Sequence, residues 1–226
     1  MKTKTVAPST WLPERWISVL AHVGSLLPLV ILVIDFLADR LTANPIQQAT
    51  IRTGKTALIL LVLSLACTPI NTVFGFRPAL RVRRALGLYG FLYICVHLFI
   101  FSVLDFGIDL QLIWQELIHK PYVLAGFGSF LLLVPLAITS TKAWQKRLGK
   151  EWKLLHKLFY LISLIVVLHF ALVVKSITGR PEPLIWGAGV IILLLLRLPA
   201  LRKTISSTRA RLTQKQPMRP MPTVSK

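Results

Sequence analysis

Six apolar segments follow one another along this chain, and each is about as long as a helix that crosses a lipid bilayer. Inside hydrocarbon every backbone N–H and C=O group needs an internal partner, so such segments fold as helices. The segments are residues 16–37, 56–73, 85–104, 122–140, 154–174 and 184–200. The sequence therefore predicts an all-α integral membrane bundle of six transmembrane helices. We expect residues 16–200 to form it, between a short N-terminus (1–15) and a basic, flexible tail (201–226).

Basic residues are distributed unevenly between the two sides that such a bundle would have. Residues 1–15, 77–84, 142–157 and the tail from Arg197 carry most of the 27 lysines and arginines, while most of the eight acidic residues lie on the other side. By the positive-inside rule, both termini are predicted to be cytoplasmic. The net charge of +19 would also suit nucleic acid. We expect no nucleic-acid partner, because the charges lie in short clusters between apolar segments; the tail would instead contact anionic lipid.

No loop is long enough to form a separate soluble domain. The chain has neither a glycine-rich dinucleotide fingerprint nor a Walker loop. Its two cysteines, Cys67 and Cys95, lie within apolar segments and form no CxxC or CxxCH motif, which excludes a disulfide framework and covalently attached haem. Any soluble nucleotide-binding or redox domain is therefore expected on a partner.

Two histidines are predicted to lie at the same depth in the bundle. His97 follows Arg84 by 13 residues and His169 follows Lys157 by 12 residues. At about 1.5 Å per residue, both would lie roughly 18–20 Å from the basic rim. Ionisable side chains at membrane depth are costly and usually functional. Two imidazoles at one level on two helices suit bis-histidine ligation of haem iron, and the alternative is a pair of core histidines bonded to carbonyl or hydroxyl groups.

Other histidines lie nearer the basic rim. His156 precedes His169 by 13 residues, so roughly 20 Å would separate them along the helix. That separation would allow two haems stacked across the membrane, although the two rings do not share one narrow helical face. His22 could complete an inner haem site or bond a propionate. The alternative for His156 and His22 is an ordinary interfacial or buried polar residue, and His119 is expected to be solvated.

Glycine and arginine residues near these histidines have two interpretations each. The glycines allow a neighbouring backbone or a porphyrin face to approach, or they serve ordinary helix packing. They are Gly87, Gly90, Gly126 and Gly128. The arginines could bind haem propionates, a flavin phosphate or lipid head groups, and membrane topology alone also accounts for them. They are Arg77, Arg81, Arg83 and Arg84.

Several stretches of the sequence resemble one known family. They are HVGSLLP (22–28), RTGKTAL (52–58), RRALGLYGFLYICVHL (83–98), KPYVLAGF (120–127) and RLGKEWKLLHKLFYLISLIVVLHF (147–170). They resemble the haem-binding membrane subunit of the bacterial protein-methionine-sulfoxide reductase system, within the wider group of ferric-reductase and NADPH-oxidase membrane domains. The resemblance extends from about residue 11 to 200, and the last stretch is the most specific.

The resemblance implies a b-type cytochrome of the Gram-negative inner membrane, with one or two haem b groups and an associated FMN. The family's ligand histidines correspond to His97, His156 and His169. His22 matches a histidine of the family's first helix, and Arg83 stands near the position where the wider group has a further ligand histidine. His22 and Arg83 are therefore possible additional haem contacts, and the FMN site is not assigned to any residue.

The resemblance also implies electron transfer to a periplasmic, molybdopterin-containing subunit that repairs methionine sulfoxide in proteins. We expect the donor to be the quinone pool, as quinol, or a flavin reduced by a cytoplasmic flavin reductase. The chain has no nucleophile–base pair and no paired carboxylates, so the catalytic site is expected on the partner. The alternatives are a proton- or ion-coupled transporter with a histidine relay, and a purely structural membrane anchor. A relay would need acids at mid-depth, whereas every acid lies near a segment end.

Overall fold

The structure, a computed structural model, describes residues 11–174 and 181–214, with side chains for 15–174 and 181–208. The described residues are mostly helical and contain no strand. The helices are α1 Trp11–Leu37, α2 Pro45–Phe74, α3 Pro78–Phe99 with a π-helical continuation Ile100–Asp105, α4 Leu110–His119, α5 Pro121–Ile138, α6 Lys142–Leu148, α7 Lys150–Leu155, α8 Leu158–Val173, α9 Glu182–Leu195 and α10 Pro199–Gln214. The prediction of an all-α chain is confirmed.

Five stretches in the described ranges are long and apolar enough to cross a membrane. They are Arg15–Leu37, Pro45–Phe74, Pro78–Asp105, Pro121–Ile138 and Lys150–Val173. A sixth span exists only if α9 and the start of α10 are counted together, and these two helices are bent by 75° at their junction. The predicted single segment 184–200 is broken here because Pro199 lacks an N–H and its ring clashes with the preceding turn. The number of spans is therefore five or six.

Several helical stretches lie outside the predicted segments, among them the start of α2, all of α4 and most of α10. Helix α2 begins at Pro45 because the Asn44 side chain accepts a hydrogen bond from the Gln47 N–H and proline suits the first helical position. Helix α4 occupies what sequence analysis treated as a loop, and Asp109 caps its first turn. The tail was expected to be flexible from residue 201, but α10 continues to Gln214. Residues 215–226 lie outside the described ranges.

Two antiparallel helix pairs form the centre of the bundle. Helix α2 packs along α3, and α5 packs along α8. Gly90 lets α3 approach α2 closely, since a Cβ there would lie 2.8 Å from Cδ2 of Leu61. Leu61 also joins Leu133 and Ile162 in a buried cluster that links the two pairs. This cluster fixes the position of the second pair relative to the first.

Helix α1 packs mainly on α3 and leaves most of its side chains exposed. One of its polar contacts is buried: Tyr93 is 1% exposed, and its hydroxyl donates to the Ser25 carbonyl at 2.8 Å. We expect Tyr93→Phe to lower the free energy of unfolding by about 1 kcal/mol, because phenylalanine fills the space without donating. Thermal unfolding of the protein in detergent measures this, and an unchanged Tm would contradict it.

The two ends of the bundle differ in how their charges are arranged. We call the end that carries Arg83, Arg84 and Lys153 the basic end. Near the opposite end, three cations form ion pairs. The pairs are Arg52 with Asp35 at 2.5 Å, Lys55 with Glu182 at 2.8 Å and Lys120 with Glu116 at 2.5 Å. The hydrogen bond that Lys120 donates to the Glu116 carboxylate raises the pKa of Lys120, because it favours the charged ammonium form.

Candidate functional site

His97 and His169 lie side by side between the two helix pairs. His97 comes from the last turn of α3 and His169 from α8. Their ring centres are 6.3 Å apart, and the two ring planes are at 89°. The structure therefore brings together the two rings that were predicted to lie at the same depth.

Each of these imidazoles is held by a backbone carbonyl of a neighbouring helix. His97 Nδ1–H donates to the Thr50 carbonyl at 3.0 Å, and His169 Nδ1–H donates to the Tyr122 carbonyl at 2.6 Å. A carbonyl only accepts, so the hydrogen of each neutral ring is on Nδ1. Each Nε2 therefore keeps a free lone pair. This is the tautomer of a metal-ligating histidine whose other nitrogen is held by an outer partner.

Two glycines make room for these rings. A Cβ at Gly126 would lie 2.9 Å from Cε1 and Nδ1 of His169, and a Cβ at Gly54 would lie 3.2 Å from Cε1 of His97. Each glycine stands four residues after the residue whose carbonyl binds the same histidine. Gly126 was expected to allow a neighbouring backbone or a porphyrin face to approach, or to serve helix packing, and no role was predicted for Gly54. The pattern that could have revealed both is a glycine one helical turn after a rim residue of an apolar helix.

The geometry of the pair fits haem iron. Two imidazoles that bind one metal from opposite sides have ring centres about 6 Å apart, because each metal–nitrogen bond is about 2 Å and each ring centre lies ~1 Å beyond its nitrogen. The observed separation is 6.3 Å. No group of three or more His, Cys, Asp or Glu side chains that could hold a metal occurs in the described parts of the chain. Two histidines suffice for haem iron, whose other ligands come from the porphyrin.

A cavity of about 350 Å³ opens at the basic end. That volume is at the lower end of the range for small-molecule sites. Its lining is largely basic and aromatic, with polar and apolar residues between. The basic residues are Arg83, Arg84, Lys153, Lys157 and Arg197, with His156 beside them, and the aromatic residues are Phe91, Trp152, Phe159 and Tyr160. The cavity therefore suits a flat ligand that carries negative charge.

His156 lies on this cavity, at the break between α7 and α8. Its Nε2 is 3.2 Å from the Thr139 hydroxyl, whose own hydrogen is directed to the Pro135 carbonyl at 2.6 Å. Nε2 therefore donates to Thr139, and the free lone pair is on Nδ1. The Trp152 ring lies 4.1 Å from the imidazole, centre to centre. His156 thus has the opposite tautomer to His97 and His169.

Of the two possible additional haem contacts, Arg83 lies on the cavity and His22 does not. Arg83 lines the cavity and donates to the Thr68 hydroxyl at 3.1 Å. His22 is exposed on α1, with Nδ1 at 2.9 Å from the Tyr89 hydroxyl, and it is not among the residues that line the cavity. His119 is exposed near the opposite end. The structure therefore brings His156 together with Arg83 but not with His22.

Arg197 is a cavity residue that sequence analysis did not single out. It was counted only as the first charge of the basic tail. In the structure its guanidinium donates to the Leu65 carbonyl and to the Tyr160 hydroxyl. The signal that could have found it is an arginine that follows an apolar run directly and precedes a proline, since such a charge stays close to the bundle.

A stacked aromatic pair lies between the cavity and the two inner histidines. Phe91 lines the cavity six residues before His97, and Phe130 lies one turn after Gly126. The two rings are parallel within 3°, with centres 6.0 Å apart. Six residues of helix correspond to roughly 9 Å, so the cavity and the histidine pair occupy successive levels of one bundle.

Comparisons with known proteins agree on one group. Residues 53–167 match the family described as ferric reductase like transmembrane component, a match that ends two residues before His169. The chain is 41% identical over 192 residues to the protein-methionine-sulfoxide reductase heme-binding subunit MsrQ of Rhodospirillum rubrum, which covers 84% of this chain and 91% of that protein. It is 42% identical over 172 residues to MsrQ of Deinococcus radiodurans, covering 75% of this chain and 84% of that protein. It is 41% identical over 182 residues to MsrQ of Xanthomonas axonopodis pv. citri, covering 78% and 82%.

Proposed function

This chain belongs to the family of heme-binding subunits of protein-methionine-sulfoxide reductase, and we propose that it carries electrons across a membrane to a partner that reduces methionine sulfoxide in proteins. The partner is a periplasmic, molybdopterin-containing catalytic subunit, and the membrane is the inner membrane of a Gram-negative bacterium. The observation that carries the proposal is the His97–His169 pair, with both Nε2 lone pairs free and ring centres 6.3 Å apart.

His97 and His169 would hold haem b through Nε2. Haem iron, when bound, supplies a one-electron couple that needs no proton from the protein. The carbonyls of Thr50 and Tyr122 fix both ring orientations and make each imidazole a better donor to the metal. Gly54 and Gly126 keep the rings in place by leaving no side chain between ring and helix. The chain thus supplies a rigid pair of ligands in an apolar setting.

The cavity at the basic end would hold the second cofactor of the pathway. The positive-inside rule puts this end in the cytoplasm, together with both termini. The cavity would therefore receive electrons from quinol or from a flavin reduced by a cytoplasmic flavin reductase. Its occupant would be FMN or a second haem b, with His156 and Arg83 beside it. The stacked rings of Phe91 and Phe130 lie between this level and the His97–His169 pair.

A histidine relay for proton or ion transport is less well supported. A relay needs carboxylates within the bundle. The acidic residues Asp35, Glu116 and Glu182 instead form ion pairs near the opposite end. His97 and His169 each donate to a carbonyl, which ends a proton path rather than continuing it. Electron transfer through a bound haem needs only the Nε2 lone pairs, which these hydrogen bonds leave free.

Sided electron transfer in proteoliposomes tests the proposal. A protease-accessible C-terminal tag reports which fraction of molecules has the basic end outside. We expect reduced FMN added under anaerobic conditions to produce the reduced b-type spectrum in that fraction only. The catalytic partner and a methionine-sulfoxide peptide, both enclosed, should then reoxidise it. Purified protein without haem, or reduced haem that the partner leaves unchanged, would contradict the proposal.

A further inference from the structure

We infer that Arg197 binds the anionic group, a carboxylate or a phosphate, of the planar ligand in the cavity at the basic end. The inference deepens the proposed function, because it rests on that cavity holding a cofactor. It adds a binding residue that neither the sequence motifs nor the family resemblance indicated.

The surroundings of Arg197 satisfy only part of its guanidinium. The residue lies in the short connection between α9 and α10, where the chain bends by 75°. Its two terminal nitrogens donate to the Tyr160 hydroxyl and the Leu65 carbonyl, which are both neutral acceptors. Its Nε is buried and has no hydrogen-bond partner among the described residues. A guanidinium has five donors in a fixed fork, so a buried Nε–H without an acceptor is an uncompensated cost.

In the part of the chain that the structure describes, Arg197 forms no ion pair with a carboxylate. Among the described residues that line the cavity there is no aspartate or glutamate, while five are lysine or arginine. Arg83, Arg84, Lys153 and Lys157 are exposed to solvent, whereas Arg197 is partly buried. A partly buried cation without a nearby counter-charge is unfavourable even when neutral groups accept some of its hydrogen bonds. The missing counter-charge is therefore expected on the ligand.

The same chain treats cations near the opposite end differently. There Arg52, Lys55 and Lys120 each have a carboxylate within 2.8 Å. Cations near the opposite end are thus neutralised by protein carboxylates, whereas the described residues that line the cavity include no carboxylate. A protein carboxylate beside Arg197 would compete with an anionic ligand, so its absence is what an anion site requires.

Aromatic side chains next to Arg197 define the rest of the ligand. The guanidinium carbon of Arg197 lies 5.2 Å from the centre of the Tyr160 ring, and Trp152 and Phe91 also face the cavity. Flat aromatic side chains beside a partly buried guanidinium, in a cavity lined by further basic residues, suit a planar aromatic ligand that carries an anion. Two ligands have this chemistry here: FMN, through its phosphate, and haem b, through a propionate.

Comparing FMN with riboflavin tests the phosphate directly. The two flavins differ only in the phosphate, and flavin fluorescence quenching on the purified, haem-bearing full chain measures each affinity. If the ligand is FMN, the wild type should prefer it over riboflavin by about tenfold or more, as expected for a charge-assisted contact. Arg197→Gln should remove this preference through weaker FMN binding, with riboflavin affinity unchanged. Arg202→Gln, on exposed α10, should keep it.

Haem quantitation tests the propionate. If the ligand is a second haem, the wild type should contain two haems per chain and bind neither flavin. Arg197→Gln should then contain one haem, while Arg197→Lys should keep more of the second because it retains the charge. In every variant the spectrum of the His97–His169 haem reports correct folding.

The two proposals fail in distinguishable ways. A haem-bearing wild type in which Arg197→Gln changes neither the FMN preference nor the haem count would overturn the role of Arg197 and leave the proposed function intact. One haem per chain without FMN binding would overturn it as well. Loss of the proposed function would appear instead as wild-type protein without haem.

Discussion

His169→Ala is expected to remove one haem per chain and to abolish the part of the reduced b-type spectrum that belongs to the His97–His169 site. Alanine offers no lone pair at the position of Nε2. The neighbouring histidine, His97, would already bind the iron from the other side and could not replace the lost ligand. A haem with one remaining axial ligand in a membrane interior is bound weakly and loses its low-spin spectrum. Pyridine-haemochrome assay per chain and the dithionite-reduced spectrum measure the effect. His97→Ala should give the same result.

The chain offers a matched control for this loss. His119 is exposed on α4, and its Nδ1–H donates to the carbonyl of Gln115 within the same helix. His119→Ala should therefore retain full haem content and an unchanged spectrum. Wild-type haem content in His169→Ala would show that the iron is held elsewhere, and the assignment of the pair would be wrong.

Gly126→Ala is expected to reduce haem occupancy several-fold, although it adds only one methyl group. The new Cβ would lie 2.9 Å from two atoms of the His169 ring. The ring cannot easily retreat, because its Nδ1–H is held by Tyr122 at 2.6 Å. Relief requires breaking that bond or moving α5 away from α8, and overpacking of this kind costs about 1–3 kcal/mol. Haem per chain and the position of the Soret band measure the displacement of the ligand.

Gly128→Ala is the control for this substitution. Gly128 lies two residues further along α5, and a Cβ there meets nothing within 4 Å. In a helix interior alanine is favoured over glycine by roughly 0.5–1 kcal/mol, so this variant should be as stable as wild type or slightly more stable. Intrinsic helix propensity favours alanine at both positions. A loss of haem in Gly126→Ala but not in Gly128→Ala would therefore come from the contact between the new methyl group and the His169 ring. Full haem content and an unshifted Soret band in Gly126→Ala would refute this role of Gly126.

The depth of the two histidines could be predicted by counting residues from the basic rim. The rise along a helix is constant, and basic clusters mark one rim, so counting residues from Arg84 and Lys157 gives the level of His97 and His169. The all-helical fold follows in the same way from the length of the apolar segments. Which face of a helix meets which neighbour is not contained in such counts. The carbonyls that hold the two rings therefore could not be identified.

The cavity shows a second limit of sequence reasoning. Arg197 resembles the other tail charges in sequence, and only the bend before Pro199 turns it towards Tyr160. His156 was assigned to a continuous helix, whereas the structure ends α7 there and directs Nε2 to Thr139. Helix α4 was missed because its ten residues are too few for a membrane span. These features depend on local breaks and caps, whose effect on direction is decided by packing.

Each inner histidine is gripped by the helix that runs antiparallel to its own. Helix α2 supplies Thr50 and Gly54 to His97 of α3, and α5 supplies Tyr122 and Gly126 to His169 of α8. Each helix pair thus fixes the orientation of its own histidine through contacts within that pair. A haem iron bound by both histidines would link the α2–α3 pair to the α5–α8 pair. Haem binding should therefore stabilise the contact between the two pairs more than it changes the fold within either pair.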